Sequence, residues 1–442
     1  MSASQWGVAR SVCVVPIEGK AISRIWLITT GEPLPLEAER PHRTGMLANK
    51  LVDAGHDVTW WTTTFDHQTK SFLYRRDSRL SLRAGVELVL LHGRTPYWRN
   101  VSVRRLINHI QVARSFRCRA ALAPRPDVIV CSFPTIDLSR EAVRFGRARQ
   151  VPVVIDVRDL WPDIFVFPFP PPFRSLVRTA LIPYFCWTKE VFSNCDAIVA
   201  VSSFYLDWGL RNGKRTHTPS ERVFPLGYPP PETRLGNLDE QKAYFTQQGI
   251  NPAKKTVWFV GTFGRTYDLL PIIECARSMK DNRNVQFVIT GDGEKRRLWQ
   301  NAASGLDNVF FTGWVSGDKL EYLMRLATVG LMTYAPDAPQ GLPNKIFEYM
   351  AAGLPILSSL RGETRKLLEY HRIGFTYDPQ DPADALAKLR VMISDSTLSQ
   401  EMGEKARRLF ESEFSADRVY GQYAEYIREV ALNGPKPTPH RL

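Results

Sequence analysis

A lysine and a glutamate three residues apart could bind an anionic ligand. They are Lys345 and Glu348, in the segment LPNKIFEYMAAGLPILSS that begins at Leu342. If this segment forms a helix, its first amides are unpaired and carry the positive end of the helix dipole, where phosphate groups commonly bind. Lys345 would add positive charge at the same place. The pattern indicates a phosphate site, and the alternative is an ordinary surface helix followed by a buried strand.

Proline and glycine set the limits of this helix. Pro343 suits the first position of a helix, and Gly353 followed by Pro355 is typical of a helix end. The sequence therefore predicts a helix from about Asn344 to Ala352 and a strand in the apolar run LPILSS, which starts at Leu354.

Strands alternate with helices along the whole chain. Apolar, strand-like runs begin at Arg24, Asp57, Asp127, Val151 and Ala197 in the first half, and at Thr256, Val285, Asn308, Val329 and Leu354 in the second. This alternation implies parallel sheets covered by helices on both faces, and ligands in such folds lie beyond the carboxyl ends of the strands. We expect an α/β fold with two such sheets and a ligand in the cleft between them.

The length of the chain and one proline-rich segment predict two domains. A chain of 442 residues is too long for one ordinary core. The segment FPLGYPPPETRLG, residues 224–236, reads as a hinge. We expect a first domain over residues 1–230 that binds the acceptor side of a reaction and a second over 231–410 that binds the phosphate ligand. Residues 411–442 are expected to form a helix that returns to the first domain, followed by a tail.

The composition is that of a globular protein without a membrane-spanning segment. The chain is 44% hydrophobic and 23% charged, which argues against wholesale disorder. No run approaches the roughly 18 apolar residues that a spanning helix needs, and we find no clear signal peptide. The six cysteines show no paired spacing. These observations predict a cytoplasmic protein.

The positive charge is concentrated in the first half. The net charge is +13, with 31 Lys and Arg against 19 Asp and Glu in residues 1–230, and 27 against 26 in the rest. Residues 94–125 carry eight arginines and no acid: Arg94, Arg99, Arg104, Arg105, Arg114, Arg117, Arg119 and Arg125. Helical spacing of Val103, Leu106, Ile110 and Ala113 predicts a helix with that apolar face. The arginines could form a solvated face or bind anionic lipid headgroups. Nucleic acid is not expected, because no recognisable module accompanies the charge.

An aromatic segment follows in the same half. IFVFPFPPPFRSLVRTALIPYFCW runs from Ile164 to Trp187 and is interrupted by prolines and arginines, so it cannot span a bilayer as a regular helix. It could dip into a membrane interface, and the alternative is a buried lid or helix pair.

Three motifs in the second half resemble those of the family 4 glycosyltransferases, which have the B-type fold of two Rossmann-like domains facing across a cleft. They are GDGE at Gly291, FTGWVSGDKLEYLMRLATVGLM at Phe311 and PNKIFEYMAAGLPIL at Pro343, and they occur in family order at family distances. The resemblance extends from about Arg24 to Tyr426. In the first half, ERPHRTGMLANKLVDAGHDVTWWTT at Glu39 is similar to the family's first loop, helix and second strand.

A fourth motif resembles a subgroup of this family. IDVRDLWPD at Ile155 is similar to enzymes that build bacterial surface polysaccharides, including lipopolysaccharide, from amino-sugar donors. The resemblance implies a retaining transferase that moves an N-acetylamino sugar from a nucleoside diphosphate, expected to be UDP, to a lipid-linked or saccharide acceptor. It implies no metal and no other cofactor.

The resemblance also implies roles for individual residues. Glu348 would bind the ribose of the donor, since a carboxylate can accept hydrogen bonds from both ribose hydroxyls. Trp314 and Val315 would lie near the base, with simple packing as the alternative for Trp314. The implied donor-binding residues are Gly261, Gly264, Arg265, Gly291, Glu294, Val315, Gln340, Leu342, Pro343, Asn344, Lys345 and Glu348. The implied catalytic residues are Arg158, Asp159, Arg265 and Lys345, and the implied acceptor or phosphate loop is Arg43, Thr44 and Gly45.

The sequence departs from the family pattern at three places. Gln340 stands where the family has the first of two glutamates, so an amide replaces a charge there. Arg43-Thr44-Gly45 replaces a pair of glycines. Arg158-Asp159 stands where many relatives have a histidine beside an acid, and a structural salt bridge is the alternative for this pair.

The first domain would bring the enzyme to its acceptor. A lipid-linked acceptor would account for both the arginines and the aromatic segment, so we expect peripheral attachment to the anionic inner face of the cell membrane. Two other functions stay open: a nucleotide-sugar epimerase of the same fold, and a non-catalytic nucleotide-sugar-binding protein.

Overall fold

The computed structural model describes residues 23–34, 42–99, 102–167, 169–229, 238–336, 338 and 341–435. The strands are β1 (Arg24–Ile28), β2 (Asp57–Thr63), β3 (Phe65–Asp66), β4 (Ser71–Phe72), β5 (Ser78–Arg83), β6 (Val86–Leu91), β7 (Val128–Phe133), β8 (Val153–Val157), β9 (Ala197–Ala200), β10 (Arg222–Val223), β11 (Lys255–Val260), β12 (Val285–Thr290), β13 (Val309–Gly313), β14 (Ala327–Met332), β15 (Ile356–Ser358) and β16 (Gly374–Thr376).

The helices are α1 (Arg43–Asp53), α2 (Val103–Ala120), α3 (Ile136–Arg149), α4 (Pro171–Ala180), α5 (Ile182–Asn194), α6 (Ser203–Gly213), α7 (Leu238–Gln247), α8 (Leu270–Ser278), α9 (Arg296–Ala302), α10 (Gly317–Leu326), α11 (Asn344–Ala351), α12 (Glu363–His371), α13 (Pro382–Ser394), α14 (Ser396–Leu409) and α15 (Ala416–Asn433). A 3-10 helix covers Asp163–Phe165 and a π-helical turn covers Phe410–Phe414.

The first sheet has eight strands in the order β10-β9-β8-β7-β1-β2-β6-β5. All neighbours are parallel except β5, which runs antiparallel to β6 at the edge. Its central strands are buried on both faces, as expected for a sheet covered by helices on each side. The sequence predicted β1, β2, β7, β8 and β9 but not the edge pair β5 and β6.

The second sheet has six parallel strands in the order β13-β12-β11-β14-β15-β16. Its core is formed by buried side chains from β11, β12 and β14 and the helices that cover them. The largely parallel first sheet and the parallel second sheet confirm the predicted α/β fold of two Rossmann-like domains. The carboxyl ends of both sheets meet at a common cleft, because residues that follow strands of each sheet line one cavity.

Helix α15 packs onto the first domain. The ring of Tyr423 stacks on Phe224 with centroids 4.4 Å apart, and the Tyr426 hydroxyl donates to the carbonyl of Ser220 at 2.6 Å. Buried side chains of α15 share a cluster with those of β1, β2 and α1. The end of the chain therefore completes the core of the domain that begins it.

The predicted apolar face of α2 is wrong in its first turn. Ser102 caps the helix, and its hydroxyl oxygen accepts from the amide of Arg105 at 3.3 Å. Val103 is 72% exposed, whereas Val112, Ala113 and Phe116 are buried. The helix turns its later residues toward the domain, so its first turn projects beyond the core.

The aromatic segment forms surface helices, which excludes the buried-lid alternative for α4. No residue of α4 is buried, and Phe173 and Leu176 are exposed. Helix α5 packs against α3 and α6 through its second half, where Val191 and Phe192 are buried. None of the helices in the described ranges is long and apolar enough to cross a membrane.

Candidate active site

A cavity of about 730 Å³ lies between the two domains. The first domain lines it with His42, Arg158, Val201, Ser202, Tyr205 and Leu226. The second domain lines it with Val260, Gly261, Thr262, Tyr267, Thr290, Gly291, Trp314, Val315, Leu320, Tyr334, Gly341, Leu342, Pro343, Asn344, Lys345 and Glu348. The cavity is therefore built from loops that follow strands of both sheets.

Helix α11 points its first turn at this cavity. Pro343 is the N-cap, in an extended conformation, and the helix starts at Asn344. Lys345 is only 7% exposed, and its ammonium lies 4.8 Å from the ring centre of Phe259 and 5.2 Å from that of Tyr267. The helix amides and a fixed cation thus converge on one point, as anion sites require.

Burial controls the charge of Lys345. It disfavours the ammonium and lowers the pKa to about 8, although the carboxylate of Glu348 opposes the shift. Both residues line the cavity, one helical turn apart. A bound anion would favour the charged form and draw the lysine back toward its ordinary pKa.

Two glycines allow the backbone to pass close to this lysine. Gly261 has a φ of +156°, and a Cβ there would lie 2.7 Å from the Lys345 ammonium. Gly291 has a φ of +132°, and a Cβ there would lie 1.9 Å from the carbonyl oxygen of Gly261. A side chain at either position would close the floor of the cavity.

Trp314 lies on the rim of the cavity. Its side chain is 67% exposed, so the simple-packing alternative does not hold. Val315 lies beside it on the same wall. The exposed indole face is available to stack on a planar ligand.

On the opposite wall, Arg158 belongs to a buried ion cluster with Asp156, Arg43 and Glu32. Its guanidinium donates to Asp156 at 2.9 Å, and it also pairs with Glu32. Arg43 binds both oxygens of Asp156, at 3.0 and 3.1 Å, and donates to the carbonyl of Pro225 at 3.0 Å. The cluster ties the start of α1 to the end of β8 and to the chain that leads into the second domain.

This cluster holds its charges strongly. Burial alone would raise the pKa of Asp156, but Arg43 and Arg158 outweigh it and lower that pKa. Burial likewise disfavours a charged Arg43, and Asp156 more than offsets it, so the pKa of Arg43 is raised. The guanidinium of Arg43 also lies 5.3 Å from the ring centre of Tyr423 in α15. The cluster is thus a permanently charged support beside the cleft.

The predicted acceptor or phosphate loop lies next to this cluster. Arg43, Thr44 and Gly45 are buried in the first turn of α1. Arg43 reaches only a smaller cavity of about 150 Å³ next to the main one, which it shares with Arg158. The hydroxyl of Thr44 accepts from Arg158 at 3.0 Å. These side chains support Arg158 because their polar groups are already engaged within the cluster.

Asp159 does not pair with Arg158. Its carboxylate accepts from the amide of Leu160 at 2.8 Å and from the indole of Trp161 at 3.3 Å. Burial raises its pKa. The structural salt bridge that was the alternative for this pair is formed instead by Arg158 with Asp156 and Glu32.

Three predicted donor residues, Gly264, Arg265 and Glu294, lie outside the cavity wall. The side chain of Arg265 is 87% exposed and lies 3.6 Å from the carboxylate of Glu294, which is also exposed. Gly264 has open space where a Cβ would be. Gln340 lies outside the described residues.

Several cavity residues escaped the sequence analysis. Ser202 is the N-cap of α6 and Tyr205 lies in its first turn. The second domain contacts this turn, because the carboxylate of Glu363 accepts from the amide of Phe204 at 3.2 Å. Tyr267 and Tyr334 pair their hydroxyls at 3.3 Å beside Lys345. His42 lines both cavities just before α1. His42 lies in the segment at Glu39 that resembles the family's first loop but was assigned no role there. The other four residues belong to no recognisable local motif, and their position after strand ends was the available signal.

Comparison with known proteins gives matches in both halves. Residues 42–227 match the family described as "Glycosyl transferase 4-like domain", and residues 254–395 match "Glycosyl transferases group 1". YtcC of Bacillus subtilis is 25% identical over 272 residues, which are 57% of this chain and 66% of YtcC. The sulfoquinovosyl transferase SQD2 of Arabidopsis thaliana is 27% identical over 160 residues, 35% of this chain and 30% of SQD2. The matched regions span less than two thirds of either relative.

Solved structures share the whole architecture. Sucrose-phosphate synthase from Thermosynechococcus elongatus superposes with a TM-score of 0.65 at 17% identity, over 92% of this chain and 98% of that one. Anabaena Alr3699/HepE in complex with UDP superposes with a TM-score of 0.62 at 14% identity, over 92% of this chain and 100% of that one. WaaG, a glycosyltransferase involved in lipopolysaccharide biosynthesis, superposes with a TM-score of 0.61 at 16% identity, over 91% of this chain and 99% of that one. At these identities the likeness is one of fold.

Proposed function

The chain belongs to the glycosyltransferases with a 4-like first domain and a group 1 second domain, and on that basis we propose the reaction that it catalyses. A nucleotide-sugar donor, UDP-linked and carrying an N-acetylamino sugar, gives up its sugar to a lipid-linked or saccharide acceptor during synthesis of a cell-surface polysaccharide. The observation that carries the proposal is the buried Lys345 at the start of α11, with Glu348 one turn further along the same cavity.

Each part of the donor has a matching group. The diphosphate lies against the first amides of α11 and Lys345, and Gly261 leaves room for it. Glu348 accepts hydrogen bonds from the ribose hydroxyls. The base lies near Trp314 and Val315 on the rim. Alr3699/HepE of Anabaena, which has a similar fold, forms a complex with UDP, and this supports uridine as the base of the proposed donor.

The transfer is proposed to retain the anomeric configuration. The bond from the sugar to the diphosphate breaks before the acceptor hydroxyl has fully attached, so negative charge grows on the departing phosphate. Preorganised cations and helix amides stabilise that charge, and this requires neither a covalent nucleophile nor a metal. Lys345 is the main cation from the second domain, and Arg158 faces the same cavity from the first.

We expect affinity for the donor to fall as the pH rises through about 8. The free lysine loses its proton near that pH, and the donor diphosphate binds the charged form. UDP-N-acetylglucosamine has no group that titrates between pH 7 and 9 in its diphosphate. Its affinity, measured by calorimetry, should therefore be roughly ten-fold weaker at pH 9 than at pH 7.

Lys345→Met separates this effect from other pH-dependent changes. The variant keeps the length of the side chain but carries no charge, so its donor affinity should be low at pH 7 and should not change up to pH 9. A variant that weakens with pH as steeply as the parent would show that another group controls donor binding.

We further propose that the enzyme is cytoplasmic and binds peripherally to the inner face of the cell membrane. Exposed apolar side chains of α4, including Phe173 and Leu176, lie on the same helix as Arg174 and Arg178. On α2, the side chains of Arg104, Arg114 and Arg117 are exposed. The two helices thus supply exposed apolar side chains and positive charge, both of which interfacial segments use.

Purified protein should therefore sediment with anionic liposomes and much less with neutral ones. Each arginine near such a surface contributes about 1 kcal/mol, and salt should weaken that part of the attraction. Insertion of α4 should leave a salt-resistant remainder. The triple variant Arg104→Gln, Arg114→Gln, Arg117→Gln should release much of the bound protein but keep activity on a short, water-soluble acceptor.

Two outcomes would count against this docking face. Equal sedimentation of the variant and the parent would place the membrane contact elsewhere. Loss of activity on the soluble acceptor would place these arginines in the active site or in the fold.

A screen of donors tests the proposed reaction. Thermal shift with uridine, guanosine and adenosine diphosphate sugars should single out one base, and we expect uridine. An epimerase would convert the sugar without any acceptor, and a non-catalytic binding protein would bind the donor without turnover. A shift by none of these donors would reject a nucleotide-sugar ligand.

A further inference from the structure

We propose that Glu363 is a positioning residue that holds the two walls of the donor cavity together. Glu363 begins α12 in the second domain, and its carboxylate caps helix α6 of the first domain in place of that helix's own Ser202. The inference rests on the proposed function only in its last step, which links this contact to the binding of the donor.

Helix α6 does not use the cap that its sequence offers. Ser202 is the N-cap, in an extended conformation, and its carbonyl accepts from the amide of Leu206 at 3.0 Å. A serine at this position normally also accepts, through its hydroxyl, from the second or third amide of the helix. Here the hydroxyl makes no such bond. Ser202 is 1% exposed, and its hydroxyl has no hydrogen-bond partner among the described residues.

A carboxylate from the other domain takes the place of this hydroxyl. Oε1 of Glu363 accepts from the amide of Phe204, the second residue of α6, at 3.2 Å. The positive end of the helix dipole favours a negative charge at this position. A charged acceptor also makes a stronger hydrogen bond than a neutral hydroxyl. The contact across the cleft is therefore a better cap than the one that Ser202 would provide.

The Glu363 contact is tied to the donor side of the cavity. A Cβ on Gly341 would lie 2.6 Å from Oε2 of Glu363 and 3.5 Å from the hydroxyl oxygen of Ser202, so both oxygens lie against this glycine. The hydroxyl of Thr364 donates to the carbonyl of Gly341. Residues 341–345 all line the cavity and lead into α11. The start of α12 thus supports the segment against which the donor diphosphate is proposed to lie.

The same contact fixes the wall of the first domain. Ser202 and Tyr205 line the cavity from the start of α6. A second cavity of about 430 Å³ is lined by Ser202, Leu342 and Glu363, and it adjoins the first because Ser202 and Leu342 line both. This space gives the carboxylate of Glu363 room to move away from α6.

The two caps are alternatives to each other. While Glu363 caps α6, its Oε2 and the Ser202 hydroxyl are both buried, and neither has a hydrogen-bond partner among the described residues. If the walls separate, the Ser202 hydroxyl can accept from the helix amide that Glu363 releases, and the carboxylate becomes hydrated. Helix α6 is capped in both arrangements, so the cleft can open without loss of the helix. A donor that binds residues 341–345 would favour the closed arrangement.

Reversal of one charge tests the contact. Glu363→Lys places a positive charge at the positive end of α6, so the walls should separate. Small-angle X-ray scattering should show a larger radius of gyration for this variant than for the parent. Glu363→Gln keeps an acceptor oxygen without the charge and should give an intermediate value. Glu369→Lys is the matched control, because it makes the same charge change on α12 at an exposed residue, which pairs with Arg365 at 2.8 Å.

Ser202→Ala distinguishes the exchange of caps from damage to α6. It removes the cap of the open arrangement only, so its radius of gyration should be equal to or smaller than that of the parent. Thermal unfolding, measured for each variant, checks that the domains remain folded. An unchanged radius in both Glu363 variants, or an expansion in Ser202→Ala as large as in Glu363→Lys, would overturn the proposal.

Calorimetry with UDP tests the link between this contact and the donor. An added positive charge near a diphosphate site should by itself strengthen binding, whereas loss of the closed arrangement should weaken it. We expect UDP to bind Glu363→Lys roughly ten-fold more weakly than the parent, and Glu369→Lys as tightly as the parent. Equal or tighter binding of UDP by Glu363→Lys would overturn the positioning role. A parent that does not bind UDP would reject the proposed function, and the scattering result would still decide whether Glu363 joins the two walls.

Discussion

Glu348→Ala is expected to abolish sugar transfer while leaving the protein folded. Glu348 lines the cavity on α11, one turn from Lys345, and it is the proposed anchor of the donor ribose. Each charge-assisted hydrogen bond that it makes to a hydroxyl is worth roughly 1.5 to 3 kcal/mol. Calorimetry should therefore show a large loss of affinity for the UDP-sugar.

A control in the same domain separates this loss from unfolding. Glu401 lies on the exposed face of α14, where it pairs with Lys405 at 3.5 Å. Glu401→Ala should leave donor affinity, turnover and thermal unfolding unchanged. Unchanged donor affinity in Glu348→Ala would refute the ribose assignment.

Asp156→Ala should cause the largest loss of stability. Asp156 is fully buried and binds both Arg43 and Arg158. Removing it leaves two buried guanidinium groups without their shared carboxylate. Breaking a buried ion pair from one side typically costs about 3 to 5 kcal/mol. Urea denaturation followed by far-UV circular dichroism measures the free energy of unfolding.

The exposed pair of Arg79 with Glu87 gives the comparison within the same sheet. Their atoms lie 3.3 Å apart, and about half of each side chain is exposed. Glu87→Ala should cost about 1 kcal/mol or less, because water screens such pairs. If the two variants lose similar stability, the buried cluster does not support the first domain as described.

Most of the fold could be predicted because the central strands are short, largely apolar runs that are recognisable in the local sequence. Runs such as VQFVIT in β12 and VVIDV in β8 are mostly apolar and are buried along their whole length, as expected for strands covered on both faces. The edge strand β5 alternates polar and apolar residues, and β16 has only three residues, so neither gives a strong pattern. The sequence predicted a helix over residues 411–442 that returns to the first domain, but not its contacts with α1, such as the ion pair of Lys50 with Asp417.

The residues that line the second-domain wall of the cavity were easier to predict than those of the first-domain wall. The second-domain wall depends on residues close in sequence, and Lys345 and Glu348 both line the cavity as expected. The first-domain wall depends on Arg43 meeting Asp156, which lies 113 positions away. We therefore expected Arg43 to face a ligand, whereas in the structure its guanidinium binds the buried carboxylate of Asp156.

Release of nucleoside diphosphate tests the central claim most directly. Purified protein is incubated with UDP-N-acetylglucosamine, with and without a lipid extract of bacterial membranes, and free UDP is measured. A glycosyltransferase should release UDP in proportion to added acceptor and should lose this activity in Glu348→Ala. Conversion of the donor sugar without UDP release, or donor binding without any turnover, would contradict the account.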